Sequence, residues 1–113
     1  MSDRELLELA AKAAGLQVCT ECGAPGCGWI IIGTGVGDLK VWNPLEDDND
    51  AMRLAVNLNL QPLFNDDLET VTVDYQSAPR QFTVLCEQYG CDKYYATRRA
   101  IVRAAAEIGK SIP

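Results

Sequence analysis

The sequence contains no histidine. That absence removes the commonest general base and the commonest nitrogen ligand for metals, so most hydrolase chemistries lose their usual proton carrier. No apolar run approaches the roughly 18 residues that a membrane-spanning helix needs. The opening Met1 to Gly15 alternates charges with leucines rather than placing a basic stretch before an apolar one, so the chain is expected to stay in the cytoplasm. Basic residues are the minority: 10 Lys and Arg against 16 Asp and Glu give a formal net charge of −6. Bulk binding to a nucleic-acid backbone, which relies on cations replacing counterions, is therefore disfavoured unless a local basic patch overrides it.

What is present is ordinary for a folded protein. The 113 residues are 48% hydrophobic and 23% charged, which fits one domain over residues 1–113 with one core. No repeat is visible and no linker divides the chain. The five cysteines are an odd number without a secretory signal, so reduced thiols or metal ligation are expected rather than a disulfide framework.

Ser2 and Glu5 have the spacing of a capping box, and Leu6, Leu9, Ala10 and Ala13 form one apolar stripe, which predicts a helix over residues 3–14 with Gly15 just past its end. Residues 16–28 form a Cys/Gly-rich loop. Trp29–Ile32 and Leu39–Trp42 are short β-branched or aromatic runs around a glycine-rich turn, which predicts a hairpin. Asn43-Pro44 stops it. The acidic run Glu46 to Asp50 precedes Ala51, Leu54, Ala55 and Leu58 at helical spacing, placing carboxylates at a helix N-terminus and Asn59 at the left-handed position beyond its end. Leu60–Phe64, weakened by Pro62, reads as an edge strand or an extended connection. Thr70–Tyr75 and Gln81–Cys86 alternate as paired strands, the second with Phe82, Val84 and Cys86 on one face, joined at Gln76 to Pro79. Tyr95 to Gly109 predicts a long alanine-rich helix that Gly109 ends. The expected fold is α+β, with three helices on a small, mostly antiparallel sheet in the order α-ββ-α-ββ-α.

Three segments taken together, Asp3 to Gly15, Trp42-Asn43-Pro44-Leu45 running through the acidic stretch to Val56, and Ala96 to Ala106, resemble the ABA sandwich domain of small accessory proteins of tailed phages and prophages. The resemblance spans nearly the whole chain, and its most specific part is Trp42 to Leu45 with the helix cap that follows. It implies a single α/β/α sandwich, a phage or prophage origin and residence in the bacterial host cytoplasm. It carries no established activity. The cysteine-rich loop, and Asn59 where glycine is typical, depart from the family pattern.

Several features carry possible chemistry. Cys19-Thr20-Glu21-Cys22-Gly23 has the form of one zinc-ribbon knuckle, with Cys27 as a third ligand and Cys86 or Cys91 as a fourth, which would hold one structural zinc. The competing reading is reduced packing thiols, since no second Cys-x-x-Cys exists. Redox use is disfavoured because the motif follows a helix rather than preceding one. Arg98 and Arg99 with Tyr94 and Tyr95 form a candidate ligand site for a phosphate or nucleotide. The plainer reading is a solvated row in which Arg103 pairs with Glu107 and the acidic run supplies other partners. Gly33 to Gly37 lacks the lysine and helix of a phosphate loop and reads as a hairpin turn. Trp29 and Trp42 read as core rather than pocket.

The preferred function is accordingly a non-enzymatic accessory protein that binds a host or phage protein. The alternative is a sponge for a small nucleotide signal of host immunity, and a homo-oligomer is left open. Native mass spectrometry of protein purified without chelator separates the readings of the cysteines: one zinc per chain above the acid-denatured mass establishes a ligated loop, and a metal-free mass establishes packing thiols.

Overall fold

The computed structural model describes residues 3–15, 30–33, 39–78, 81–90 and 92–111. The elements are α1 (Asp3–Ala13), β1 (Ile30–Gly33), β2 (Leu39–Trp42), α2 (Asp48–Leu58), β3 (Gln61–Asn65), β4 (Thr70–Ala78), β5 (Gln81–Gln88) and α3 (Lys93–Lys110). The fold is α+β with three helices, as expected. Its order is α-ββ-α-βββ-α, one strand longer than the expected order, because of the two readings of Leu60–Phe64 the edge strand holds and Gln61–Asn65 pairs with β4. Pro62 is tolerated there because β3 is an edge, where a missing ladder donor costs little. β1 and β2 form an antiparallel pair with Ile30 opposite Trp42, and β3-β4-β5 form an antiparallel sheet.

α3 is the hub. It touches α1, α2 and each strand of the three-stranded sheet. Small side chains make this crowding feasible: Ala96, Ala100, Ala104, Ala105 and Ala106 are buried with Ile101 and Val102. Against them lie Ala10 and Ala11 of α1 and Val71 and Val73 of β4, all at 0% exposure. Each larger core side chain among these contributes about 1.5–3 kcal/mol on burial, and the alanines contribute by letting the elements come close.

Gly109 does not end the last helix as the sequence suggested. The helix continues to Lys110, and Gly109 lies buried inside it where α1 crosses. A Cβ placed on Gly109 would stand 2.1 Å from the Leu9 backbone carbonyl oxygen. This glycine answers a close approach, not a left-handed turn. The start of the helix differs as well, because Asp92 caps it at Lys93 by accepting from the backbone N–H groups of Tyr94 and Tyr95.

The turn from β2 into α2 shows why the acidic run follows Trp42 to Leu45. Trp42, Pro44 and Leu45 are buried. The Asn43 side chain accepts from the Leu45 N–H, and the Asn43 N–H donates to the Asp50 carboxylate at 3.0 Å. Asp47 is the N-cap of α2, accepting from Asn49 and Asp50 N–H. Asn59 holds the left-handed position at the other end, with φ 56 and ψ 40. The run is therefore a set of separately used carboxylates, and Asp50, 4% exposed, is the buried one.

The phase of β5 is the reverse of the expected one. Leu85 packs against the core, whereas Val84 is 61% exposed and Cys86 is exposed. The register aligns Val73 with Leu85 and Thr72 with Cys86, so the inward face of β4 fixes that of β5. In an alternating strand a shift of one residue exchanges the faces.

Replacing Gly109 with alanine should destabilise the protein by about 3 kcal/mol, the upper part of the overpacking range. Helix propensity alone would favour alanine by about 1 kcal/mol, so the sign of the change is diagnostic. Gly15→Ala, at φ +73 with nothing within 4 Å of the new Cβ, should cost only about 1 kcal/mol. Urea denaturation of the two variants checks the ordering.

Candidate functional site

A groove of about 930 Å³ runs between α2, β3 and the first half of α3. Its floor is apolar and buried, formed by Ala51, Ala55, Leu60 and Ile101. Its walls are Met52 at 64%, Val56 at 68%, Phe64 at 51% and Tyr94 at 71% exposure. Four of the exposed large apolar side chains among the described residues thus converge on one place. Monomer surfaces usually scatter such residues, so their convergence is the informative observation.

The charged lining consists of Lys93, Arg98 and Asp48. Arg98 is structural as well as lining: its Nε donates to the Leu45 carbonyl at 2.9 Å and its Nη1 to Asp48 at 2.6 Å. It therefore ties the turn before α2 to α3. Lys93 stands at the end beside Phe64, with its ammonium 4.9 Å from that ring's centroid and 5.1 Å from the Tyr89 ring. Asp66 accepts from Lys93 Nζ at 3.1 Å and from the Tyr89 hydroxyl at 2.9 Å.

This cluster shifts three titrations. The hydrogen bond from Lys93, followed by that from Tyr89, holds the Asp66 carboxyl below its ordinary value. The same bond to Asp66 raises Lys93. Tyr89 is raised first by partial burial and then by its bond to Asp66. Because Asp66 is depressed, what the pair adds to stability is present above the ordinary carboxylate pKa and lost as pH falls through the depressed value. Because Lys93 is raised, its share is complete below the ordinary lysine pKa and is lost as pH rises through the raised one.

The candidate ligand residues divide between two faces. Tyr94 and Arg98 line the groove, whereas Arg99 turns toward β5 and Tyr95 lies outside the groove lining. There Arg99 Nε lies 3.6 Å from Glu87, and Arg99 Nη1 donates to the Tyr95 hydroxyl at 3.4 Å. Arg103 also donates to Glu87, not to Glu107 as helical spacing suggested, and Glu107 instead accepts from Lys110. The 19%-exposed side chain of Glu87 faces α3 from the strand beneath, and the more sheltered carboxylate takes both arginines.

Of the candidate zinc ligands, Cys19, Cys22, Cys27 and Cys91 lie outside the described residues, as does Trp29, and Cys86 is exposed on β5. Among the described residues no cluster of three or more His, Cys, Asp or Glu side chains is placed to hold a metal, and no helix is long and apolar enough to cross a membrane. The chain matches no protein-family profile, no curated protein and no solved structure.

Sequence reasoning missed the groove walls contributed by Met52, Val56 and Phe64. A signal was present: Met52 and Val56 are four residues apart on α2 and lie off the Ala51–Leu54–Ala55–Leu58 core stripe. Substituting Lys93 with Gln should raise the Asp66 pKa toward the ordinary carboxylate value, and Tyr89→Phe should raise it by less. Carboxyl-detected NMR titration checks that order, and no change in the Lys93 variant would refute the pairing.

Proposed function

We propose that this protein is a non-enzymatic binding domain that acts by seating a partner protein in the groove between α2, β3 and α3. The observation that carries the reading is the convergence of Met52, Val56, Phe64 and Tyr94, each more than half exposed, over a buried apolar floor. Association that covers these side chains removes apolar surface from water, the general driving force for docking. In this reading the protein is a phage or prophage accessory protein with a host or phage protein as partner, which the resemblance of Trp42 to Leu45 and the neighbouring helical segments supports. The chain's lack of histidine supports binding over hydrolytic turnover.

A nucleotide-signal sponge is the second reading, favoured by the exposed Tyr94 ring in the same groove as Arg98. A base would stack on the tyrosine and a phosphate would approach the guanidinium. The phosphate would then compete with Asp48, which already holds Arg98 Nη1. Protein docking requires no such exchange, so it is preferred.

Met52→Glu and Val56→Glu should change folding stability by no more than about 0.5 kcal/mol, because both side chains are exposed. Either should weaken partner capture at least roughly tenfold, about 1.4 kcal/mol. Pull-down from infected host cells, compared between wild type and variants at matched folding, checks this. Thermal-shift screening against cyclic dinucleotides checks the second reading: stabilisation of about 2.7 kcal/mol at a hundredfold excess over Kd would establish the sponge and overturn protein docking.

A further inference from the structure

We infer that Lys93 is a latch: it ties the edge strand β3 and the turn after it to the start of α3, and so fixes the Phe64 wall of the groove. The inference concerns how the groove keeps its shape and is independent of what the groove binds.

β3 has little to hold it in place apart from its ladder with β4. It pairs with β4 on one side, and Pro62 supplies no ladder donor. None of its five side chains is buried, whereas Val71 and Val73 of β4 are fully buried and Leu85 of β5 packs on the core. Its contacts with α3 are sparse beside those of β4 and β5. The turn that follows, Asn65 to Glu69, is exposed throughout and holds Glu69 at φ 52, a left-handed conformation that is unfavourable for a residue with a Cβ. Segments with few buried apolar contacts open locally ahead of the rest of a fold. Something other than burial must therefore keep β3 beside α3.

The start of α3 supplies it. Lys93 is the first residue of that helix, and its ammonium lies 4.9 Å from the centre of the Phe64 ring on β3 and 5.1 Å from that of Tyr89. The same ammonium donates to Asp66 in the turn at 3.1 Å. Tyr89, just past β5, holds this turn by two bonds, from its hydroxyl to Asp66 at 2.9 Å and from its backbone N–H to the Glu69 carbonyl at 2.8 Å. Lys93 differs in reaching the strand as well as the turn. The base of its side chain is fixed, because Asp92 caps the helix there and the Lys93 carbonyl accepts from the Thr97 hydroxyl at 2.8 Å. A cation in the first turn of a helix opposes the positive end of the dipole. Asp66 and the two rings offset this by attracting the ammonium from the side of β3.

An exposed ion pair adds little to the stability of a whole fold, and the side chains of this one are 44% and 78% exposed. The latch is accordingly a local device. Undone, it frees β3 and the Phe64 ring while the core around α3 stays folded.

The chain has two phenylalanines, Phe64 and Phe82, so full-length protein labelled with 4-fluorophenylalanine gives two fluorine signals, assigned with Phe64→Leu. These signals and amide hydrogen exchange are followed by NMR in wild type, Lys93→Gln and Lys93→Arg. In Lys93→Gln the Phe64 signal should move toward that of the free amino acid while the Phe82 signal stays. The slowest-exchanging amides of β3 should exchange roughly five- to tenfold faster, the size that an exposed ion pair and ring contacts together supply. The core amides of β4 and α3 and the urea midpoint should not move. Lys93→Arg, which keeps a cation able to pair with a carboxylate and stack on a ring, should restore most of the protection. An unchanged Phe64 signal and unchanged β3 exchange in Lys93→Gln overturn the latch. Exchange that rises equally in β3, β4 and α3 shows general support of the fold and overturns it as well, as does Lys93→Arg exchanging as fast as Lys93→Gln. Each of these failures leaves the groove, and the partner it is proposed to seat, to stand or fall on the capture experiment.

Discussion

The close approach of α1 to α3 at Gly109 sets the geometry of the rest. With the Leu9 carbonyl 2.1 Å from where a Cβ would stand, no side chain fits at that crossing. Ala10 and Ala11 meet the alanines of α3 with nothing bulky between them. Because α1 lies so near, α3 is covered on that side and can also receive α2 and the sheet, which leaves Lys93, Tyr94 and Tyr95 at its start and Glu107 and Lys110 near its end as its exposed residues. A helix this enclosed would be expected to carry leucines and isoleucines. It carries alanines because three neighbours share its surface, and packing density is reached through backbone proximity instead of side-chain bulk.

Enclosure of α3 also explains how the groove exists. α2 is tied to α3 at its start, where Arg98 reaches the Leu45 carbonyl and Asp48 and where Trp42, Pro44 and Leu45 are buried. Asp50 and Asn43 fix the turn that aims α2, and Asn57 donates to the Ala14 carbonyl near its other end. Held near both ends, α2 buries Ala51, Leu54 and Ala55 and leaves Met52 and Val56 outside. β3, an edge strand with α3 beneath it, supplies the remaining side. The acidic run is thus part of what shapes the groove although only Asp48 lines it.

Much of the fold was legible in the sequence. Apolar periodicity located the helices, Asn59 marked the end of α2, and the β-branched runs marked the strands. Features set by partners distant in the chain were not legible. Gly109 near a helix end looks like a terminator, and only the approach of Leu9, a hundred residues earlier, makes it a packing glycine. The β5 alternation offered two phases, and pairing with Val71 and Val73 selected the one that exposes Cys86. Arg103 had a carboxylate at helical spacing in Glu107, yet the less exposed Glu87 on the neighbouring strand took it. Of the candidate ligand residues, Tyr94 and Arg98 reached the groove, and Tyr95 and Arg99, one position along the helix from each, were turned out of it by the helical rotation of about 100° per residue.

The same rotation bears on what the groove can recognise. Side chains one position apart diverge, so α3 presents to the groove only Lys93, Tyr94, Thr97, Arg98 and Ile101. Two of these are cationic, and Asp48 neutralises the more buried of them. Asp66 likewise holds Lys93, so both lining cations are paired within the chain and what the groove offers a partner is chiefly its apolar surface. An apolar surface of this kind would attract almost any exposed hydrophobic segment if it were uncharged. The two ion pairs at its margin, Arg98 with Asp48 and Lys93 with Asp66, must stay hydrated or matched when the groove is covered, which disfavours segments that fit the apolar walls but bury those pairs. Selectivity then comes from position more than from total charge, because a segment must cover the apolar walls without burying either ion pair.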